Sequence, residues 1–195
     1  MVHPSVPARN VSELVALARK QPGKLNYGSS GVGSTSHLAG EALNAFASIK
    51  LHHIPFKGGA ESVVAAASGQ VDMSLPGITA LPPLANAGKV RTLAVTTLAR
   101  SALMPSVPPL NESGFRGYDF SSWAGLLAPA GVPKPIIERL NAVVSKAITA
   151  PELKEVFAKQ DLRVRPTTAT QFGEFLQREL ALNRKLIKAA GIKAE

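Results

Sequence analysis

Through the first hundred residues, short apolar stretches rich in β-branched residues alternate with stretches of helical length, and this pattern constrains the fold most. Lys24–Gly28, Leu51–Phe56, Val71–Leu75 and Val90–Thr97 are predicted as strands, the last being the best by its β-branched, apolar make-up. The segments between them have helix-like spacing. Asn10 and Glu13 form a capping box ahead of Val11, Leu14, Val15 and Ala18, which share one helix face. A second helix is predicted to hold Leu38, Ala42, Ala45 and Phe46 on one face, and a third to run from residue 60 to 68. A short helix is predicted over residues 79–86 despite Pro82 and Pro83. Strands separated by helices of about ten residues cannot be joined as hairpins, so they lie parallel. The expected class is α/β with a largely parallel sheet.

Near Arg100 the texture changes. The run MPSVPP is extended and cannot be regular helix. Residues 101–120 are therefore read as a connection, between an α/β domain at 1–100 and a further part at 121–195. That further part opens with an extended stretch at 118–128. Three helices are predicted after it, at 133–149, 151–159 and 168–190, with Leu162–Arg165 as a candidate short strand. The first of these helices carries a dense stripe of Ile136, Ile137, Leu140, Val143, Val144, Ala147 and Ile148.

The chemistry-bearing stretch runs from Tyr27 to His37, between a strand and a helix. Gly28, Gly31 and Gly33 let the backbone turn and a ligand approach, and Ser29, Ser30, Ser34 and Thr35 supply hydroxyls. The first N–H groups of a helix lack internal partners and carry partial positive charge, so such a loop suits an anion. A plain Gly/Ser loop capping a helix accounts for the same residues. No Gly-Lys-Ser/Thr follows, Ser36 stands where a dinucleotide fingerprint needs its third glycine, and Gly-x-Ser-x-Gly is absent. Phe56, Lys57, Gly58 and Gly59 form a second loop from strand to helix, and ligands of open parallel sheets sit at that end of the strands. Lys57 is either a ligand charge or a solvated surface lysine. His37 lies one turn from Glu41 and could pair with it. His52 and His53 face opposite sides of a strand and cannot share a metal. No metal site, cofactor or catalytic residue is read from the sequence. The absence of cysteine excludes disulfides and thiolate chemistry.

The segments LNYGSSGVGSTSHLAGE, HIPFKGGAES, SGQVDM, NAGKVRTLAVTT, SSWAGLLAPAGVPKPIIERLNAVV and KAAGIKAE occur in one order with consistent spacing. In this the chain resembles the substrate-binding proteins of tripartite tricarboxylate transporters, the TctC-like or Bug receptors, from about Pro4 to Glu195. The resemblance implies a periplasmic-binding-protein type II arrangement, with this chain supplying the parallel-sheet second domain plus the C-terminal helices of the first. It implies a periplasmic receptor that performs no covalent chemistry, needs no cofactor, binds a small carboxylate and hands it to a membrane permease. The loop from Gly28 to Thr35 becomes the carboxylate cradle and Phe56–Gly59 a neighbouring wall. The turn after the SGQVD strand, with Gly77, becomes a specificity position. There Pro76 stands where many members carry an acid, which favours a plain organic acid over an amino acid.

Two departures shape the expectations. The first ten residues show no leader pattern, and the family's first-domain strand with its Pro-Phe-x-x-Gly-Gly loop has no match. The chain is therefore expected to be a shortened receptor, with weak ligand binding. The uncovered stripe of the 133–149 helix is expected to drive self-association. The alternatives are a non-functional receptor remnant and a basic nucleic-acid-binding domain, the latter suggested by the net charge of +9. That charge is spread along the chain, aromatic residues are 5%, and no recognition motif is present, all of which speak against a nucleic-acid partner. An enzyme built on the serine loop lacks a base–nucleophile spacing.

Overall fold

The computed structural model describes residues 1–192. Its first helix, α1 (Val11–Lys20), starts at the expected cap: the Asn10 side chain accepts from the Glu13 N–H at 2.9 Å. The Glu13 carboxylate reaches back to the N–H of Arg9 at 2.7 Å, one residue before the cap. Val11, Leu14, Val15 and Ala18 are buried, as their spacing requires. Each large apolar side chain buried in this way stabilises the fold by about 1.5–3 kcal/mol.

Three parallel strands follow, β1 (Asn26–Ser29), β2 (His52–Pro55) and β3 (Met73–Ser74), in the order β2-β1-β3. The register sets Tyr27 opposite both His53 and Met73, and Gly28 opposite both Ile54 and Ser74. Asp72 ties the entry of the sheet, accepting from the Asn26 N–H at 2.7 Å. The crossovers are α2 (Thr35–Ala47) and α3 (Gly59–Ala67), with α4 (Leu81–Asn86) beyond β3.

Two expectations fail here. The buried face of α2 is Leu38, Ala39, Ala42, Leu43 and Ala47, while Phe46 is 51% exposed. Gly40 is the cause, because the buried Tyr27 ring lies against its Cα and leaves no room for a Cβ. The small residues of the helix therefore turn toward the sheet. Val90–Thr97 forms no strand. Val2 bridges to Arg91 and Val95 to Pro109 as isolated pairs. Pro108 and Pro109 bring no N–H to extend a ladder, so high β-propensity finds no partner.

The chain divides into two compact units, residues 1–122 with those from Leu186 onward, and Trp123–Lys185. In the first unit Tyr118 is buried and donates from its hydroxyl to the Ala39 carbonyl at 2.7 Å. The second unit holds α5 (Lys134–Ile148), α6 (Pro151–Lys159) and most of α7 (Ala169–Ala190). Thr168 and Gln171 exchange side-chain and backbone hydrogen bonds as a capping box for α7. Trp123 packs edge-on against Phe172 and Phe175, at ring separations of 5.9 and 5.2 Å. No residue of α5 or α6 is buried, and Ile136, Leu140 and Val143 are half or more exposed. Residues 162–165 stay outside regular structure.

Candidate functional site

The parallel register carries the loops after β1, β2 and β3 to one edge of the sheet. Gly28 and Ser29 end β1, Ser30 to Gly33 form the turn, Ser34 caps α2, and Thr35 is its first residue. Gly31 and Gly33 have φ of +119° and +73°, which an L side chain tolerates poorly. Phe56 follows β2 and pairs back, its N–H donating to the Ser29 carbonyl at 3.0 Å. A Cβ on Gly28 would stand 3.1 Å from the Phe56 ring, so a larger residue there would push the two loops a few tenths of an ångström apart. Lys57 is exposed, Gly58 caps α3, and Gly77 follows β3, exposed and with open space around it. The structure thus joins Gly28–Thr35 with Phe56 by direct contact. It places Lys57, Gly58 and Gly77 on the same edge without such a contact.

Within the turn the hydroxyls bind one another. Ser36 Oγ accepts the Ser30 N–H at 2.9 Å and lies 3.0 and 3.1 Å from the hydroxyls of Ser30 and Ser34. The Gly31 carbonyl accepts the Ser34 hydroxyl at 2.7 Å and the Ser34 N–H at 3.2 Å. The first intrahelical bond of α2 runs from Leu38 N–H to Ser34 O at 2.9 Å. The N–H groups of Thr35 and Ser36 precede it, so they have no partner within the helix.

Beneath the turn lies a cluster that the sequence did not reveal. The imidazoles of His37 and His53 stack with centroids 3.7 Å apart and planes within 8°. His37 Nδ1 accepts the Gly33 N–H at 3.0 Å, and His53 Nε2 lies 2.6 Å from Ser29 Oγ. Tyr27 donates from its hydroxyl to Glu41 at 2.7 Å, so Glu41 serves Tyr27, where the sequence leaves a pairing with His37 open. Burial, with a smaller contribution from the adjacent His37 and His52, lowers the His53 pKa to about 4. Burial also lowers that of His37, against an upward pull from Glu41. One signal was available: in a parallel pair of strands, a histidine in the second strand can lie beside the helix that follows the first.

The two N-termini at this edge differ in charge. In α3, Glu61 folds back to accept the Lys57 N–H at 3.1 Å, which places a carboxylate in the first turn. In α2 the first turn holds no acid. The positive end of α2 is therefore uncompensated by the chain itself. Surface depressions of about 630 and 330 Å³ in the first unit lie away from this edge, around Arg19 and Phe46 and around Arg91 and Met104.

Comparison with known proteins supplies the context. The profile described as Tripartite tricarboxylate transporter family receptor, TctC, matches residues 1–192. A UPF0065 protein of Pseudomonas sp. strain P51 is 34% identical over 180 residues, covering 92% of this chain and 54% of the relative. Among solved structures, R. palustris Rpa4515 with adipate has a TM-score of 0.84 at 31% identity, covering 98% of this chain and 64% of that one. MatC of Rhodopseudomonas palustris, with bound malate, has a TM-score of 0.80 at 28% identity, covering 95% and 64%. The chain spans little more than half the length of the Pseudomonas relative and of a second UPF0065 protein, from Cupriavidus necator.

Proposed function

The chain belongs to the tripartite tricarboxylate transporter receptor family, and on that premise we propose that it takes part in binding a small organic carboxylate at the N-terminus of α2. The observation that carries this reading is the contrast between the two helix ends at the sheet edge. α3 neutralises its own N-terminus with Glu61, whereas α2 leaves the N–H groups of Thr35 and Ser36 beside serine hydroxyls and without an acid. The solved relatives bind adipate and malate, which have the charge this end requires. Phe56 forms the neighbouring wall, with Lys57, Gly58 and Gly77 at the rim. Binding involves no covalent step. The receptor acts in the periplasm and passes its ligand to the permease of a tripartite transporter.

The test is titration calorimetry with adipate, malate, succinate, citrate and benzoate, on the chain and on Thr35→Pro. Proline is accepted at the first helical position and deletes one N–H. Ser34 already has the extended backbone that a following proline needs, with φ −67° and ψ 162°. Loss of one hydrogen bond to a charged group costs about 1.5–3 kcal/mol, so affinity should fall roughly ten- to hundred-fold. A folded chain that takes up none of these acids at millimolar concentration refutes the reading. So does a Thr35→Pro protein that binds as the parent does.

A further inference from the structure

Three helices of the first unit share one device. In α1, α2 and α3 the third helical residue reaches back to accept the N–H of the residue before the cap. Glu13 accepts from Arg9 at 2.7 Å, Glu61 from Lys57 at 3.1 Å, and His37 from Gly33 at 3.0 Å. Only α2 uses a side chain that is uncharged when it does this. The geometry fixes its proton: Nδ1 must be bare to accept, so the neutral ring carries its hydrogen on Nε2.

His53 supports the ring from below. The Gly31 carbonyl already accepts two hydrogen bonds from Ser34. Ser29 Oγ lies 2.6 Å from His53 Nε2 and 3.1 Å from the Gly31 carbonyl, and it accepts the Gly31 N–H at 3.1 Å, so it links His53 to Gly31. Two neutral imidazoles thus hold the N–H groups of Gly31 and Gly33 in place, His37 directly and His53 through Ser29.

We propose that His37, backed by His53, is the positioning residue of the anion cradle, and that it works only as a neutral acceptor, so that protonation releases the Gly33 turn and weakens carboxylate binding. This rests on the reading of α2 as the carboxylate site. A proton on Nδ1 would set two N–H groups against each other at 3.0 Å. Two charged rings cannot share a stack of 3.7 Å, so the pair takes at most one proton. The titratable groups around the pair are Tyr27 on β1 and Glu41 on α2, with His52 next to His53 in β2 but on the opposite side of the strand. Glu41 draws the proton toward His37 and His52 disfavours one on His53, so the single proton falls on the ring that holds Gly33. Burial opposes it, so the cradle stays set near neutral pH and opens as pH falls below the ordinary histidine range.

The experiment compares the full chain with His37→Gln and His37→Glu, two side chains of equal reach that both suit this capping position. Adipate and malate affinities are measured from about pH 7.5 to pH 5. The parent should lose roughly ten-fold more affinity over that range than His37→Gln, which cannot titrate; ligand protonation affects both equally. His37→Glu should keep the cap but lose binding at neutral pH, because a carboxylate in the first turn then neutralises the positive end of α2, as Glu61 does in α3. Parallel pH profiles for the parent and His37→Gln overturn the proposal, as does full binding by His37→Glu. In the unmodified, ligand-free chain the Gly33 amide resonance should move with the His37 ring titration. A Gly33 amide that ignores that titration overturns the positioning role, whether or not any acid binds. If no acid binds at neutral pH while the Gly33 amide follows His37, the carboxylate reading alone has failed.

Discussion

Gly40→Ala should destabilise the first unit by about 1.5–5 kcal/mol, although alanine is the better helix former. A Cβ at residue 40 would lie 2.3 Å from Tyr27 Cε2, 2.5 Å from Cζ and 2.9 Å from the hydroxyl. Ordinary contact needs about 3.5–4.0 Å, so the ring must move by more than an ångström. It has nowhere to go. Tyr27 is fully buried, its ring lies 5.0 Å from that of His53, and its hydroxyl is held by Glu41 at 2.7 Å. Overpacking of this kind costs about 1–3 kcal/mol, and disturbing a hydrogen bond to a charged acceptor adds about 1.5–3 kcal/mol. Helix propensity returns roughly 0.8–1 kcal/mol. Urea unfolding followed by far-ultraviolet circular dichroism measures the difference. Gly173→Ala in α7 is the control, since a Cβ there meets nothing within 4 Å and should be neutral or favourable. Tyr27→Ala supplies the cycle: in that background Gly40→Ala should lose its penalty. Gly40→Ala protein as stable as the parent, or an equal penalty without the tyrosine, would refute the packing argument.

Tyr118→Phe removes the second hydrogen bond to the Ala39 carbonyl, which keeps its partner within α2, and should cost about 0.5–1.5 kcal/mol in the same assay. Gly33→Ala meets open space but a φ of +73°, so strain alone should cost about 1–2 kcal/mol, with weaker carboxylate affinity in calorimetry. Because His53 titrates near 4 when folded and near 6.5 when unfolded, the unfolded chain binds more protons between those values. Stability should therefore fall as pH drops from about 7 to 5, with a urea midpoint that moves less in His53→Gln. The exposed Ile136, Leu140 and Val143 of α5 predict self-association of the chain in sedimentation, shifted toward monomer by Leu140→Lys.

What could be read from the sequence divides by the range of the cause. α1 needed only Asn10, Glu13 and an apolar spacing, all within one helix, and its cap and buried face agree with that spacing. The parallel sheet needed only the length of the crossovers. Val90–Thr97 looked the best strand because its own residues favour extension. Its partners, Val2 on one side and Pro108-Pro109 on the other, lie far away in sequence and cannot complete a ladder. The face of α2 was misjudged for a related reason. Apolar size put Phe46 inside, but a tyrosine from β1 needing a glycine seat decided the rotation. Propensity is overridden wherever a long-range partner is either missing or demanding.

The site follows the same logic with one refinement. Its glycines and serines were visible as a loop, yet such residues cap many helices, and both loops at the sheet edge offered an N-terminus. What separates them is a single position, the third residue of each helix. Glu61 stands there in α3 and closes that end with the chain's own carboxylate. His37 stands there in α2 and makes the same back-bond without a charge. Both residues are plain in the sequence three places after their caps, so the difference in charge between the two helix ends was encoded locally. The stack with His53 was not, because it depends on the register that sets His53 opposite Tyr27. A helix N-terminus attracts an anion in proportion to the positive charge left on it. A neutral cap in place of an acidic one therefore leaves the N-terminus of α2 more positive than that of α3, which is the property the proposed carboxylate site needs.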